Sequence, residues 1–105
     1  MPRFIFAYHG GKKPETPETG EALMAKWRNW IAETGAALTE PGNPVGKSKT
    51  VSAKGVADDG GANPLSGYSI VEVDDMNAAI KIAKACPILD GGTIEIAEII
   101  NMQSH

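Results

Sequence analysis

A single cysteine, Cys86, in 105 residues removes any intramolecular disulfide, the usual staple of a small secreted domain, so a reducing cytoplasm is the expected compartment. Basic residues are also short. Ten Lys and Arg stand against 13 Asp and Glu, for a net charge of −3, which leaves no positive excess to track a phosphate backbone and makes nucleic acid no expected partner. The longest N-terminal apolar run, Phe4 to Tyr8, is too brief for a signal-peptide core and far below the roughly 20 residues of a spanning helix, so no membrane association is expected. Histidine is nearly missing: only His9 and His105 occur, without the paired spacing of a zinc site, so neither a metal nor another cofactor is expected. What remains is an ordinary globular composition, 42% hydrophobic and 22% charged, at the commonest size for one domain, taken here as residues 1–105.

The clearest stretch is Gly67 to Pro87, GYSIVEVDDMNAAIKIAKACP. Its first part, Tyr68 to Val73, is rich in aromatic and β-branched residues that suit a strand. Asp74 and Asp75 then offer carboxylates to the free N–H groups of a helix's first turn, and Met76, Ala79, Ile80 and Ala83 recur at helical spacing. Pro87 ends that helix, and Asp90, Gly91 and Gly92 turn the chain into a last strand, Thr93 to Ile100. Near the N-terminus, Phe4 to Tyr8 reads as a strand buried on both faces. Thr16 and Pro17 then open a helix carrying Leu23, Trp27, Trp30 and Ile31 toward a core, and Gly35 stops it. Between these halves, Ala36 to Glu40 is a short strand, Pro41 to Gly46 a turn or bulge, and Lys47 to Ala53 resumes an alternating pattern, so that the segment reads as an irregular hairpin or a bent second strand. Lys54 to Ser66, with Gly55, Gly60, Gly61 and Pro64, has no periodicity and reads as a mobile loop. Asp58 and Asp59 within it lack the alternating oxygen pattern of a calcium loop.

This order, β-α-β-(β)-β-α-β, is that of an α+β fold of the ferredoxin-like, split β-α-β type, an antiparallel sheet with two helices on one face. The apolar residues of its strands exceed what one helix layer covers, so a homodimer packed sheet to sheet is expected. With the first and third core strands taken as parallel neighbours, one sheet end collects Tyr8 and His9, Asp74 and Asp75, and Asp90 to Glu95. His9, whose side chain type titrates near neutrality, is then the candidate proton carrier. Asp90 or Glu95 would orient it, since Asp74 or Asp75 is engaged in capping. Glu95 has a plainer reading, pairing with Arg3 across the sheet. Cys86 reads as a small buried side chain rather than a nucleophile. The loop from Gly10 to Thr16, with the Gly10 and Gly11 N–H groups, Lys12, Lys13 and the positive end of the following helix, offers itself to a small anion beside Tyr8.

The stretch GYSIVEVDDMNAAIKIAKACP, the later GGTIEIAEI and the N-terminal YHGG together resemble the YCII-related (YciI-like) domain family. The resemblance spans nearly the whole chain and is weakest in the middle. It implies a dimeric α+β barrel and supports Glu95, which falls on the family's strand-four glutamate. A related branch carries Asp-Gly-Pro-Phe before the Gly-Tyr strand, where this chain has Asp59, Gly60, Gly61, Ala62, Asn63 and Pro64. Members with suggested roles act on small molecules, including aromatic breakdown products. Two functions therefore stand side by side: an acid-base enzyme for a small organic acid, centred on His9, and a dimeric module that binds a small ligand or regulates without chemistry.

Overall fold

A computed structural model of the chain describes residues 1–11 and 14–102. Lys12, Lys13 and His105, named above as candidates or asides, lie outside the described residues. The chain runs β1 (Arg3–Gly10), α1 (Pro17–Thr34), β2 (Leu38–Glu40), β3 (Thr50–Ser52), β4 (Gly55–Ala57), β5 (Leu65–Glu72), α2 (Met76–Ala83) and β6 (Gly92–Glu98). Local chemistry sets the helix boundaries. The Thr16 hydroxyl accepts the Thr19 N–H while the Thr19 side chain accepts the Thr16 N–H, a reciprocal cap that closes the first turn of α1 ahead of Pro17. Asp75 caps α2 by accepting the Ala78 N–H at 2.9 Å, which leaves Asp74 outside that role.

Four strands form one antiparallel sheet in the order β2-β5-β1-β6. β1 lies between β5 and β6. Strand alternation then sorts its residues: Phe4, Phe6 and Tyr8 point to one face and are buried, while Ile5, Ala7 and His9 point to the other. Both helices cover the first face. Trp30 of α1 lies over Phe6, with ring centroids 6.5 Å apart, and its indole N–H donates to the Ile82 carbonyl of α2. Trp27 packs edge-on against both Tyr8 and Trp30. The tryptophans are thus core residues that lock α1, α2 and β1 together, as their helical spacing implied. Val71, Ala79, Ala83 and Cys86 complete this core.

Two expectations need correction. The core strands β1 and β5 are antiparallel neighbours, not parallel, because in a split β-α-β fold each helix connects strands one position apart and the strand between them runs in the opposite sense. And 54–66 is no featureless loop: β3 and β4 pair as a hairpin, with Thr50 opposite Ala57 and Val51 opposite Val56, and β5 starts at Leu65. The Lys49 ammonium contacts Asp58 at 2.8 Å and the Thr50 hydroxyl donates to the Asp59 carbonyl. The molecule measures 49 × 37 × 18 Å with a radius of gyration of 15.4 Å, against about 13 Å for a compact chain of this length.

Candidate functional site

The open face of the sheet carries Ile5, Ala7 and His9 of β1, Tyr68 and Ile70 of β5, and Thr93, Glu95 and Ala97 of β6, since residues paired in register share a face. His9 stands at one end of this surface. The register of β1 with β5 shifts there, Tyr8 lying opposite Gly67 but His9 opposite Leu65, a bulge of the kind that re-aims a side chain. The His9 Nδ1–H donates to the Asn63 carbonyl at 2.9 Å and more weakly to that of Pro64 at 3.3 Å. Carbonyl oxygens only accept, so these partners place a proton on Nδ1. On the other side, Nε2 faces the Glu95 carboxylate at 3.2 Å. Glu95 lies opposite Ala7, two residues from the His9 partner Thr93, and the diagonal brings the two side chains together. The imidazole is 11% exposed and the carboxylate 74%. His9 is thus a donor at Nδ1, and its Nε2 lies within hydrogen-bond distance of the Glu95 carboxylate.

Of the expected site residues, the fold unites His9 and Glu95 and disperses the others. Glu95 meets His9 rather than Arg3, which stands opposite Glu72 at the far end of β1. Asp74 and Asp75 follow β5 at that far end, about 20 Å of strand from His9, as the antiparallel pairing requires. Asp90 is on the helix side, where with Glu15, Leu23 and Lys26 it lines a cleft of about 280 Å³ against α1. Tyr8 lies on the covered face of β1, away from His9. Its phenol is 4% exposed beneath the helices and donates to Ser69 Oγ at 2.7 Å, which in turn donates to the Pro41 carbonyl. Gly10 and Gly11 serve backbone packing. Gly10 lies opposite Gly92, and the Gly11 N–H is directed at the Gly91 carbonyl at 3.3 Å. A Cβ on Gly92 would come within 2.7 Å of the His9 and Ile88 carbonyl oxygens and 2.8 Å of the Gly11 nitrogen. The glycines therefore let two backbones touch, with the Gly11 N–H directed at a backbone carbonyl.

Asn63 and Pro64 are the contacts that the residue pattern did not signal, because they act through their carbonyls. The nearest clue was Pro64 itself, which biases the preceding residue to extended backbone.

Cys86 is buried, as expected. Burial pushes its thiol up from an ordinary 9.0 to about 11, against smaller opposing hydrogen bonds from the Ile88 backbone and Tyr8. Burial also raises the Tyr8 phenol above its ordinary value. Both groups bind their proton more tightly folded than unfolded, so the stability this confers is complete below pH 9 and lost as pH rises through about 11. Urea midpoints are expected to stay level to about pH 9 and then to fall, by on the order of 2 kcal/mol in unfolding free energy near pH 11. The thiol is expected to resist a disulfide reagent at pH 8 until the chain unfolds. Rapid labelling of the native chain would place Cys86 at the surface.

Among the described residues no helix is long and apolar enough to cross a membrane. A family model described as the YCII-related domain matches residues 4–103. No curated protein matches the sequence.

Proposed function

The chain belongs to the YCII-related domain family, and from that membership and the geometry on the open sheet face we propose that it is an acid-base protein for a small organic acid, with His9 as proton carrier and Glu95 as its exchange partner. The observation that carries this reading is the three-acceptor setting of one imidazole: Asn63 and Pro64 carbonyls on Nδ1, a carboxylate on Nε2. A surface histidine held by nothing would have no defined tautomer; this one presents Nε2 as the working nitrogen. The substrate lies against Ala7, Tyr68 and Thr93, next to His9, where apolar and polar side chains alternate. A thermal-shift screen of small aliphatic and aromatic acids tests the reading. The acid that raises the midpoint is expected to be consumed or isomerised by the native chain and not by His9→Gln. An acid that binds equally to both and is never altered would favour the second reading, a ligand-binding module without chemistry.

The same face is proposed as the seat of a second copy. Ile5, Ala7, Tyr68 and Ile70 form its apolar centre, no described element covers them, and Arg3, Glu72 and Glu95 lie toward its margins. A two-fold arrangement of such a patch is self-complementary and closes a water-poor chamber around His9. Light scattering on a sizing column is expected to give twice the chain mass at micromolar concentration, and Ile70→Lys the single mass. A monomer for the native chain would remove the dimer and leave the His9 reading to the acid screen.

A further inference from the structure

We infer that the projecting 47–62 arm sets the tautomer and orientation of His9, with Gly60 as the pivot and the Asn63–Pro64 backbone as the positioning group. This inference rests on the His9 reading above and adds what controls that site. The arm is tied along its length. Val51 faces Val56 across the hairpin, the Lys49 ammonium meets Asp58, and the Thr50 hydroxyl donates to the Asp59 carbonyl. Asp59 then accepts the Gly61 N–H through Oδ1, so the arm and its base move as one body. Gly60 is wedged between the two chains of the base. A Cβ there would lie 2.7 Å from Pro64 Cβ and 2.8 Å from Ser48 Cβ, neither of which is the free end of a flexible side chain. From Pro64 the next contact is His9 Nδ1, and from His9 Nε2 the next is Glu95. Hairpin, wedge, carbonyls, imidazole and carboxylate thus form one contiguous chain of contacts, the physical requirement for coupling between sites.

The consequence is specific. The sheet fixes where the His9 Cα lies, and the 63–64 carbonyls hold the proton on Nδ1 against the pull of the Glu95 carboxylate on Nε2. Whatever displaces the arm releases that selection. Val51 and Val56 lie at its exposed end, 76% and 63% accessible, so the arm is held to the rest of the chain at its base.

The test uses the full chain labelled with ¹⁵N-histidine, in a His105→Ala background so that His9 gives the only imidazole signal. Two-bond proton–nitrogen spectra, recorded at alkaline pH with neutral imidazole, distinguish the Nδ1–H form from the Nε2–H form. The native arm is expected to give predominantly Nδ1–H. Gly60→Ala, which meets no backbone obstacle because Gly60 is not among the glycines with positive φ, is expected to move the ratio toward Nε2–H by about threefold to tenfold, the worth of one hydrogen bond. Pro64→Ala, which removes the ring but keeps both carbonyls, is expected to move it in the same direction and less. Glu95→Gln and the hairpin-turn variant Lys54→Ala are expected to leave Nδ1–H dominant. An unchanged ratio in Gly60→Ala, with shifted arm resonances showing that the wedge took effect, would overturn the inference; so would a tautomer that follows Glu95→Gln instead. Neither result needs a substrate, so the His9–Glu95 reading stands or falls separately in the acid screen.

Discussion

Phe6→Ala is expected to lower the free energy of unfolding by about 3–5 kcal/mol, which is a large share of the roughly 5–15 kcal/mol that holds a domain of this size together. Phe6 is fully buried. It sits at the middle of the central strand, opposite Ser69 on one side and Ile96 on the other, under Trp30. No neighbour can collapse into the space without breaking the α1–α2 link that the Trp30 N–H makes to Ile82, so the lost transfer energy and the cavity add. Urea titration with an unchanged slope checks it. Two comparisons make the expectation sharper. Val51→Ala, on the exposed hairpin, is expected to cost less than about 0.5 kcal/mol. Ile5→Ala, next to Phe6 in sequence but half-buried on the open face, is expected to cost less than Phe6→Ala at high dilution and more as the chain concentration rises, if a second copy covers that face as proposed. A larger loss from Ile5→Ala than from Phe6→Ala at high dilution would mean that the two faces of β1 have been interchanged.

That comparison also shows what the sequence could and could not convey. Caps are local, and they were legible: Thr16 before Pro17, Asp75 before Met76 and Gly35 after Thr34 all sit where hydrogen bonding to the first or last turn requires. The run Phe4 to Tyr8 was legible as a strand, but an unbroken apolar run hides the phase of its alternation. Tyr8 therefore looked like a neighbour of His9 in the site, although adjacent strand residues point to opposite faces. The direction of β5 relative to β1 is a property of the whole topology, and taking it as parallel carried Asp74 and Asp75 to the wrong sheet end. Between Asp90 and Glu95 only strand register decides, because one lies in the turn and the other two residues from the His9 partner. The 50–57 hairpin was hidden for a different reason. Its two valines pair with each other rather than with the core, so no burial pattern marks it. Its base reaches His9 through main-chain carbonyls, which every residue possesses.

The decisive expectation concerns His9→Gln, which should lower turnover of the acid found by screening by about 10²–10⁴-fold, the usual worth of a positioned proton carrier. Glutamine is the informative choice. Its amide fills the space of the ring and still hydrogen-bonds, but it neither gives up nor accepts a proton at neutral pH. The loss should therefore appear in kcat with KM little changed, the pattern of an interaction made in the transition state. Glu95→Gln leaves the imidazole and its Nδ1 partners in place and removes only the carboxylate beside Nε2, so a smaller loss of about 10–100-fold is expected, the usual worth of a group that hydrogen-bonds a reacting side chain. The ordering carries the mechanism. Equal losses would mean that Glu95 itself handles the substrate proton, with His9 as its support. A loss confined to KM in both variants would mean that the pair grips the acid without moving a proton, which is the behaviour of the binding module and not of the enzyme.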